Sequence, residues 1–356
     1  MLYLIDLESV ESRYTKQWKT HLPSLFRSKG LDVTVIEGPT DIPAATTPGA
    51  FLNFGGTNIY KSAQLEQIAK LFCEGKVKDG DYFLYTDAWN PTVIQLKYMA
   101  ELLGIKLRIG GLWHAGSYDP QDFLGRLIGD ASWVRKAEMS MYDCYDDNFF
   151  ATRFHIDLFT NTFWDDERDI DRQLLHSIRQ VGWPMEYIEE DLSEYQNMAK
   201  EDIVLFPHRI APEKQPEVFD YIAEQMPEYK FIKCQDLNLS KPEYHDLLGR
   251  AKLVFSANLQ ETLGISVYEG LQVGAIPMVP DRLSYSEMWS DEFKYPSEWT
   301  MSLESAKENI DSIKTYIHNK MNSNADMTWS MKEELGKVGK FYSGDKLISY
   351  LSEYAG

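Results

Sequence analysis

The chain has 356 residues, 44% of them hydrophobic and 13% aromatic, which excludes an intrinsically disordered protein and favours two domains over one. Its formal net charge of −19 disfavours a broad surface for nucleic acid or an anionic membrane, although it leaves room for a local basic cleft. The first ten residues carry Asp6 and Glu8 and read as a strand rather than a signal peptide, and no apolar run approaches the roughly 18 residues that cross a bilayer. We therefore expect a soluble cytoplasmic protein.

In the first half of the chain, short apolar runs alternate with helical segments. This alternation predicts a parallel, doubly wound sheet with helices on both faces. The predicted strands are 2–7, 31–38, 51–56, 81–87, 105–114 and 149–159, and the predicted helices are 18–29, 61–72, 91–103 and 132–142.

A second alternation begins near residue 202 and indicates another nucleotide-binding type of α/β half. Its predicted strands are 202–208, 229–234, 251–257 and 275–280, and its predicted helices are 215–226, 241–248 and 264–273. The pattern then turns helical, at 303–321 and again at 329–351.

These patterns predict two Rossmann-like domains and a helical C-terminus. We assign residues 1–175 to an N-terminal domain and 195–300 to a C-terminal domain, with helices in 301–356 packing back towards the first. Because α/β sheets bind ligands at the carboxyl ends of their strands, we expect a cleft between the two domains to hold the chemistry.

Neither a disulfide framework nor a metal centre is predicted. Cys73, Cys144 and Cys234 are far apart and form no CxxC or Cys/His cluster. The charged run 162–173 holds Asp169 and Asp171 at an Asp-x-Asp spacing, but its context favours the solvated start of a helix.

Two glutamates flank a predicted helix N-terminus in the otherwise apolar stretch 259–280. Glu261 lies in the loop before the helix that Gly264 opens, and Glu269 lies roughly 7 Å further along it at 1.5 Å per residue. Free amides of Gly264 and Ile265 would offer an anion site between the two carboxylates. The alternative is a plain loop glutamate and a buried carboxylate at a helix cap.

Two cations follow the first strand of the second half. Arg209 and Lys214 lie in the sequence FPHRIAPEK, on a loop at the carboxyl end of that strand. Together they can neutralise a diphosphate leaving group, which stabilises the charge that develops as the bond to it breaks. A surface ion pair is the alternative.

The two motifs together carry a resemblance. Glu261 and Glu269, with Gly264 three residues after the first, preceded by Arg209 and Lys214, resemble the retaining GT-B glycosyltransferases that use nucleotide-sugar donors. The resemblance is close over 202–290 and covers the first domain only in the order of its elements. Family members often have glycine where this chain has His208 and Gln215, and alanine where it has Gly270; these are the residues in which it departs from the pattern.

The resemblance implies a role for each residue. Arg209 and Lys214 would hold the donor diphosphate, Glu261 the transferred sugar and Glu269 the ribose hydroxyls, with backbone contacts from Gly264 and Ile265. The family often has a histidine at a strand end near the reacting centre, which makes His114 the catalytic candidate in the first domain; a packed histidine bonded to the backbone is the alternative. Weaker candidates for acceptor contacts are Arg13, Tyr14, Lys16, Gly55 and Gly56.

The activity implied is metal-independent transfer of a sugar, with retention, from a nucleotide diphosphate sugar to a hydroxyl acceptor. A UDP-sugar is the favoured donor, and no cofactor is expected. Residues 202–290 also resemble glycosyltransferases of tailed phages, which implies a hydroxymethylated pyrimidine in DNA as acceptor; the acidic charge argues against it. A glycan or small-molecule acceptor is the first alternative, and a nucleotide-sugar 2-epimerase of the same fold is the second.

Overall fold

The computed structural model divides into two compact units. The first unit is Met1–Met185 with Gly344–Gly356, and the second is Glu186–Ser343. Within them, the residues that the structure describes are 1–8, 14–43, 45, 52–129, 131–163, 177–323 and 325–355.

The first unit is built on a parallel sheet of six strands in the order β2-β1-β3-β4-β5-β6. Leu4 shows the register, because it is paired with Val35 on one side and with Leu84 on the other. The strands are β1 (Leu2–Ile5), β2 (Val33–Ile36), β3 (Tyr82–Tyr85), β4 (Arg108–Leu112), β5 (Asp147–Phe150) and β6 (Ile178–Gln180).

Within the described part of this unit, six helices precede the second unit in the chain: α1 (Tyr14–Ser28), α2 (Phe54–Cys73), α3 (Thr92–Leu103), α4 (Phe123–Ile128), α5 (Ser132–Cys144) and α6 (Arg153–Phe163). Aromatic rings fill much of the core between sheet and helices, and glycines make room for them. A Cβ on Gly110 would lie 2.3 Å from the hydroxyl of Tyr82, and one on Gly111 would lie 2.7 Å from the ring of Tyr145. The glycine pair of β4 is therefore a packing requirement.

The second unit contains a parallel sheet of five strands in the order β11-β10-β9-β7-β8. Counted from its own first strand, the order is 2-1-3-4-5, in which the direction of winding reverses between β7 and β9. The strands are β7 (Glu201–Phe206), β8 (Lys230–Lys233), β9 (Ala251–Phe255), β10 (Ile276–Pro280) and β11 (Lys294–Tyr295).

The helices of the second unit cover this sheet, and Val204, Leu253 and Met278 are fully buried in the core between them. The described helices are α7 (Tyr187–Leu192), α8 (Pro216–Gln225), α9 (Lys241–Arg250), α10 (Ile265–Gln272), α11 (Ser284–Met288), α12 (Leu303–Glu308), α13 (Ile310–Met321) and α14 (Ala325–Val338).

The last helix of the chain, α15 (Asp345–Tyr354), belongs to the first unit. Its Tyr350 hydroxyl donates to Asp147, and Arg108 donates to the Tyr350 oxygen at 2.9 Å. Arg108 also donates to both Asp147 oxygens, at 2.7 and 2.8 Å, and lies over the ring of Tyr354. Because Asp147 is fully buried, these partners satisfy a charge that would otherwise be costly to bury.

The prediction of an α/β chain with two parallel, doubly wound sheets is confirmed, with corrections to individual elements. Residues 54–56 open α2 instead of ending a strand, because Asn53 caps that helix by accepting from the Gly56 amide at 2.8 Å. The strand predicted at 149–159 ends at Phe150. There Thr152 accepts from the amide of His155 at 3.2 Å and starts α6.

Two strands and two helix breaks are absent from the sequence prediction. The short strands β6 and β11 each lie at an edge of their sheet, where a run of two or three residues gives no periodicity to detect. The helix predicted at 303–321 is divided at Asn309, and the one at 329–351 is divided by a 3-10 turn at Gly339–Tyr342.

Candidate functional site in the second unit

Two loops and a helix meet at the point in the second sheet where the strand order reverses. The carboxyl ends of β7 and β9 are adjacent there, which is the place where α/β sheets bind ligands. The Leu259 amide donates to the Glu213 carbonyl at 2.8 Å and so joins the loop after β9 to the loop after β7. In turn, His208 of the β7 loop lies 3.4 Å from the Ser266 hydroxyl of α10.

Lys214 is held inside this junction. Its side chain is 9% exposed, and its ammonium donates to the Gln260 carbonyl at 2.6 Å and to a Glu261 carboxylate oxygen at 3.4 Å. The cation therefore lies beside one of the two predicted carboxylates, although 47 residues separate them in sequence.

Arg209 is placed by an acid that the sequence analysis missed. Its side chain is 37% exposed, and its guanidinium donates to the carboxylate of Glu213, whose side chain is fully buried. Glu213 thus orients the guanidinium at the rim of the junction while its own backbone carbonyl receives the Leu259 amide.

Glu261 is a carboxylate surrounded by donors. Its oxygens accept from the amides of Thr262 and Leu263 at 3.2 and 3.4 Å and from the Asn258 side chain at 3.2 Å. Burial raises the pKa of Glu261, but Lys214 and the backbone amides of Gly264 and Leu263 outweigh it and leave the pKa below its ordinary value. The carboxylate is therefore ionised at neutral pH.

The N-terminus of α10 depends on Gly264. Its φ is +80°, a conformation that glycine adopts without strain, and a Cβ there would lie 2.8 Å from the ring of Tyr285. Tyr342 also fixes this turn, because its hydroxyl donates to the carbonyls of Leu263 at 2.7 Å and Gly264 at 3.1 Å. The first amides of the helix, including that of Ile265, have no acceptor within the helix.

Glu269 lies one and a half turns into α10 and is only partly exposed. One of its carboxylate oxygens accepts from the Tyr244 hydroxyl at 2.8 Å. Burial raises the pKa of Glu269 to about 7, against the opposing effects of Tyr244 and Lys241. This carboxylate, unlike Glu261, changes charge near neutral pH.

The departures from the family pattern have structural explanations. Gln215 keeps a positive φ of 53°, as a glycine would, and its side-chain amide donates to the carbonyls of Ala257 and Thr300 at 2.6 Å each. At Gly270 a Cβ would lie 2.6 Å from the side chain of Val254, so alanine would clash with β9. Burial lowers the pKa of His208 to about 3, which makes it a neutral side chain in this site.

A second layer of side chains that the sequence analysis also missed holds the β9 loop. Arg282 donates at 2.8 Å to the carbonyls of Asn258 and Ala257. The Tyr285 hydroxyl lies 3.0 Å from the Ser256 hydroxyl and accepts from the side-chain amide of Asn258 at 3.1 Å. No local motif marks these residues, because each acts across 24 or more positions of sequence.

His114 lies in the first unit, two residues after β4, as its prediction at a strand end requires. Its Nε2 is 2.6 Å from the Thr86 carbonyl, which can only accept, so Nε2 carries the proton. Its Nδ1 is hydrogen-bonded to the Tyr14 hydroxyl at 2.6 Å, and Trp18 and Trp183 contact the ring. Both ring nitrogens are engaged.

The weaker acceptor candidates fall in different places of the first unit. Tyr14 begins α1 and stacks on His114, whereas Lys16 is exposed on the same helix. Gly55 and Gly56 lie in the first turn of α2, where the Gly56 amide already donates to Asn53. Arg13 lies outside the described residues.

No group of three or more His, Cys, Asp and Glu that could hold a metal ion occurs within the part of the chain that the structure describes. Asp169 and Asp171 lie outside that part. The three cysteines are free thiols. No helix among the described residues is long and apolar enough to span a membrane.

Comparisons with known proteins find similarity at the level of structure. No family model and no curated protein matches the chain. The pneumococcal O-GlcNAc transferase GtfA, solved with UDP and GlcNAc, is 12% identical with a TM-score of 0.55; the match covers 83% of this chain and 60% of that chain. The catalytic domain of starch synthase IV from Arabidopsis thaliana, bound to ADP and acarbose, is 10% identical with a TM-score of 0.58, over 99% and 98% of the two chains.

WaaG, a glycosyltransferase involved in lipopolysaccharide biosynthesis, is 11% identical with a TM-score of 0.59, over 99% of this chain and 100% of that one. The fold is GT-B. At 10 to 12% identity these similarities establish the GT-B architecture, and the chain spans only 60% of the length of GtfA.

Proposed function

We propose that this protein is a glycosyltransferase that transfers a sugar, with retention of configuration, from a nucleotide diphosphate sugar to a hydroxyl acceptor. The observation that carries the proposal is the junction of β7, β9 and α10. There Lys214 and Arg209 lie on a loop bonded to the one that presents Glu261 and the α10 N-terminus. The GT-B neighbours, one solved with UDP and one with ADP, support it.

Each group at the junction suits one part of such a donor. Lys214 and Arg209 would neutralise the diphosphate, with the amides of Gly264 and Ile265 at the positive end of the α10 dipole. Glu261, ionised and 19% exposed, would accept hydroxyls of the transferred sugar. Glu269 would accept those of the ribose.

The proposed reaction needs no protein nucleophile. The bond between the anomeric carbon and the donor phosphate oxygen breaks, and the acceptor oxygen bonds to that carbon from the same face. The acceptor proton passes to the departing diphosphate. Lys214 and Arg209 stabilise the negative charge that develops on the leaving group, the role that a metal ion has in other transferases.

His114 is the proposed catalytic residue of the first unit. The hydrogen bond between its Nε2 and the Thr86 carbonyl holds the ring in one orientation. We expect His114→Ala to lower turnover more than donor affinity. Equal losses in both would assign it to donor binding alone.

The proposed donor is a UDP-sugar, and the proposed acceptor is a hydroxymethylated pyrimidine in phage DNA. A glycan or small-molecule hydroxyl is the alternative acceptor. The charge of −19 requires DNA to approach a local basic surface. Transfer assays on hydroxymethylated duplex DNA and on simple glycans, run side by side with unmodified DNA as control, decide between them.

The experiment that tests the proposal begins with a thermal-shift screen of UDP-, GDP- and ADP-sugars. Binding to the native chain should raise its melting temperature. The donor that binds is then incubated alone, with and without EDTA. Slow release of free sugar and nucleotide, insensitive to EDTA, supports a metal-independent transferase, whereas an epimerised nucleotide sugar identifies a 2-epimerase. If no nucleotide sugar binds, the proposal is wrong.

A further inference from the structure

We propose that Tyr244 is a positioning residue for Glu269: its hydroxyl fixes one carboxylate oxygen and leaves the other to receive the ribose hydroxyls of the donor. The inference rests on the proposed function, since it concerns how the donor site is prepared. It assigns a role to a residue that no motif in the sequence marks.

The geometry brings three elements together around Glu269. Tyr244 lies on α9, and its hydroxyl donates to Oε2 of Glu269 on α10 at 2.8 Å. Cys234, which follows β8 and is 9% exposed, is the third neighbour. The start of α9 is fixed by a capping box, in which Glu243 accepts from the Ser240 amide at 2.8 Å. Tyr244 is therefore on a rigid support.

This hydrogen bond gives the two carboxylate oxygens of Glu269 different roles. An ionised carboxylate has about four acceptor positions on its two oxygens. The tyrosine occupies one position on Oε2 and restrains rotation of the group, so Oε1 is held in one orientation. A ribose presents two neighbouring hydroxyls, which donate more strongly to the ionised form of Glu269 than to the protonated form.

The charges around Glu269 make Tyr244 important for that ionised form. Burial raises the pKa of Glu269 to about 7, with the Tyr244 hydrogen bond as the largest opposing effect and Lys241 next, while Asp191 adds to the rise. Lys241 is itself paired with Asp191 at 2.6 Å, so these two charges largely offset each other. Burial also raises the pKa of the Cys234 thiol to about 12, so Cys234 is neutral.

A packing role for the Tyr244 ring would have a different signature. The ring lies near His245, and phenylalanine would preserve that contact. If the ring alone matters, Tyr244→Phe leaves donor affinity unchanged at every pH. If the hydroxyl positions Glu269, the same substitution favours the protonated carboxyl and changes how affinity depends on pH.

The test measures the affinity of UDP-, GDP- and ADP-glucose, which share the ribose, by calorimetric titration from pH 5.5 to 8.5. In the native chain, affinity should rise with pH about a midpoint near 7. In Tyr244→Phe the midpoint should move up by about one pH unit, so that affinity falls about fivefold at pH 7 and less than about twofold at pH 8.5. The diphosphate of a nucleotide sugar has no proton to lose in this range.

Two further variants complete the experiment. Tyr229→Phe removes a tyrosine hydroxyl that lies 2.8 Å from His318 in the same unit, and it should leave the midpoint in place. Glu269→Gln should abolish the pH dependence. If Tyr244→Phe does not fold, Tyr244→Met, which also lacks the hydroxyl, takes its place and should show the same shift of the midpoint. An unchanged midpoint in folded Tyr244→Phe, or a persistent pH dependence in Glu269→Gln, overturns the inference while the donor site stands. Absence of binding to the native chain overturns the proposed function and this inference with it.

Discussion

Lys214 is a buried cation whose charge is used within the site. Its partners are a backbone carbonyl and Glu261, and the field of Lys214 lowers the pKa of that carboxyl. A buried ammonium is costly unless it is paired and hydrogen-bonded. Under the proposed function, this ammonium is one of the positive charges that meet the donor diphosphate.

Replacement of this cation should therefore impair chemistry more than folding. We expect Lys214→Met to lower kcat/KM for the donor by about 10²- to 10³-fold, because the leaving group loses a charge that stabilises it. Steady-state kinetics of donor hydrolysis measure the loss. Lys252→Met is the matched control, since Lys252 pairs with the exposed Asp202 at 3.5 Å near the amino ends of β9 and β7, at the opposite edge of the sheet from the site. A loss below about threefold in Lys214→Met would contradict the assignment.

Protonation of Glu269 should stabilise the folded protein but weaken donor binding. Its raised pKa means that the folded state takes up a proton that the unfolded chain releases at lower pH. Its contribution to the free energy of unfolding is therefore fully present at acidic pH and is lost as pH rises from about 4.5 towards 7.

We predict that Glu269→Gln raises the melting temperature by roughly 2 to 5 °C at pH 8, with no gain at pH 4, because glutamine removes the buried charge. The same substitution should weaken nucleotide binding. Calorimetric melts at the two pH values measure the first effect. Equal changes in melting temperature at both would show that the charge is not the cause.

At the level of the element, α10 depends on its first turn. Gly264 combines a positive φ with close contact to Tyr285, whereas Gly274, after the same helix, has a similar φ of +79° and no neighbour closer than 3.6 Å. Alanine at Gly274 would therefore add backbone strain alone, whereas alanine at Gly264 would add strain and a steric clash.

We expect Gly264→Ala to destabilise the second unit by about 2 to 4 kcal/mol, from strain plus displacement of Tyr285, and to abolish donor binding. Gly274→Ala, with strain alone, should cost about 1 kcal/mol and bind the donor normally. Urea unfolding and nucleotide titration of both variants provide the comparison. Equal behaviour of the two alanines would disprove the steric account of this turn.

Most strands and helices could be predicted from the sequence because the patterns that mark them lie within short segments of the chain. The alternating apolar runs predicted the parallel strands, and the loops carrying Arg209, Lys214 and Glu261 follow from where those strands end. Tyr342 and Leu263 are 79 positions apart, and Tyr244 and Glu269 are 25 apart, so the pairs that rigidify the site exist only after the chain has folded. The break at Asn309 was missed for a related reason, since both flanking helices have the same apolar periodicity.

At the level of the whole molecule, the chain leaves the first unit and returns to it. Leu347 and Leu351 of α15 are fully buried, and Tyr350 is a partner of the buried Asp147. The buried side chains of α15 thus belong to the first unit, although 158 residues of the second unit separate them from the rest of it.

A chain that ends at Ser343 should therefore have a less stable first unit. We expect a loss of at least about 3 kcal/mol, because the buried leucines and the Asp147 hydrogen bond are removed together. Hydrogen exchange at the amides of β4 and β5 measures it locally. Tyr350→Phe, which removes one hydroxyl, should cost about 1 kcal/mol. Unchanged protection in the shortened chain would contradict the role given to α15.

The proposed function requires a nucleotide diphosphate sugar to bind where β7, β9 and α10 meet. A crystal structure of the chain grown with UDP would show whether it does. We predict the diphosphate between Lys214, Arg209 and the first amides of α10, with the ribose hydroxyls on Glu269. A nucleotide bound elsewhere, or a junction that stays empty at millimolar UDP, ADP and GDP, would contradict the claim.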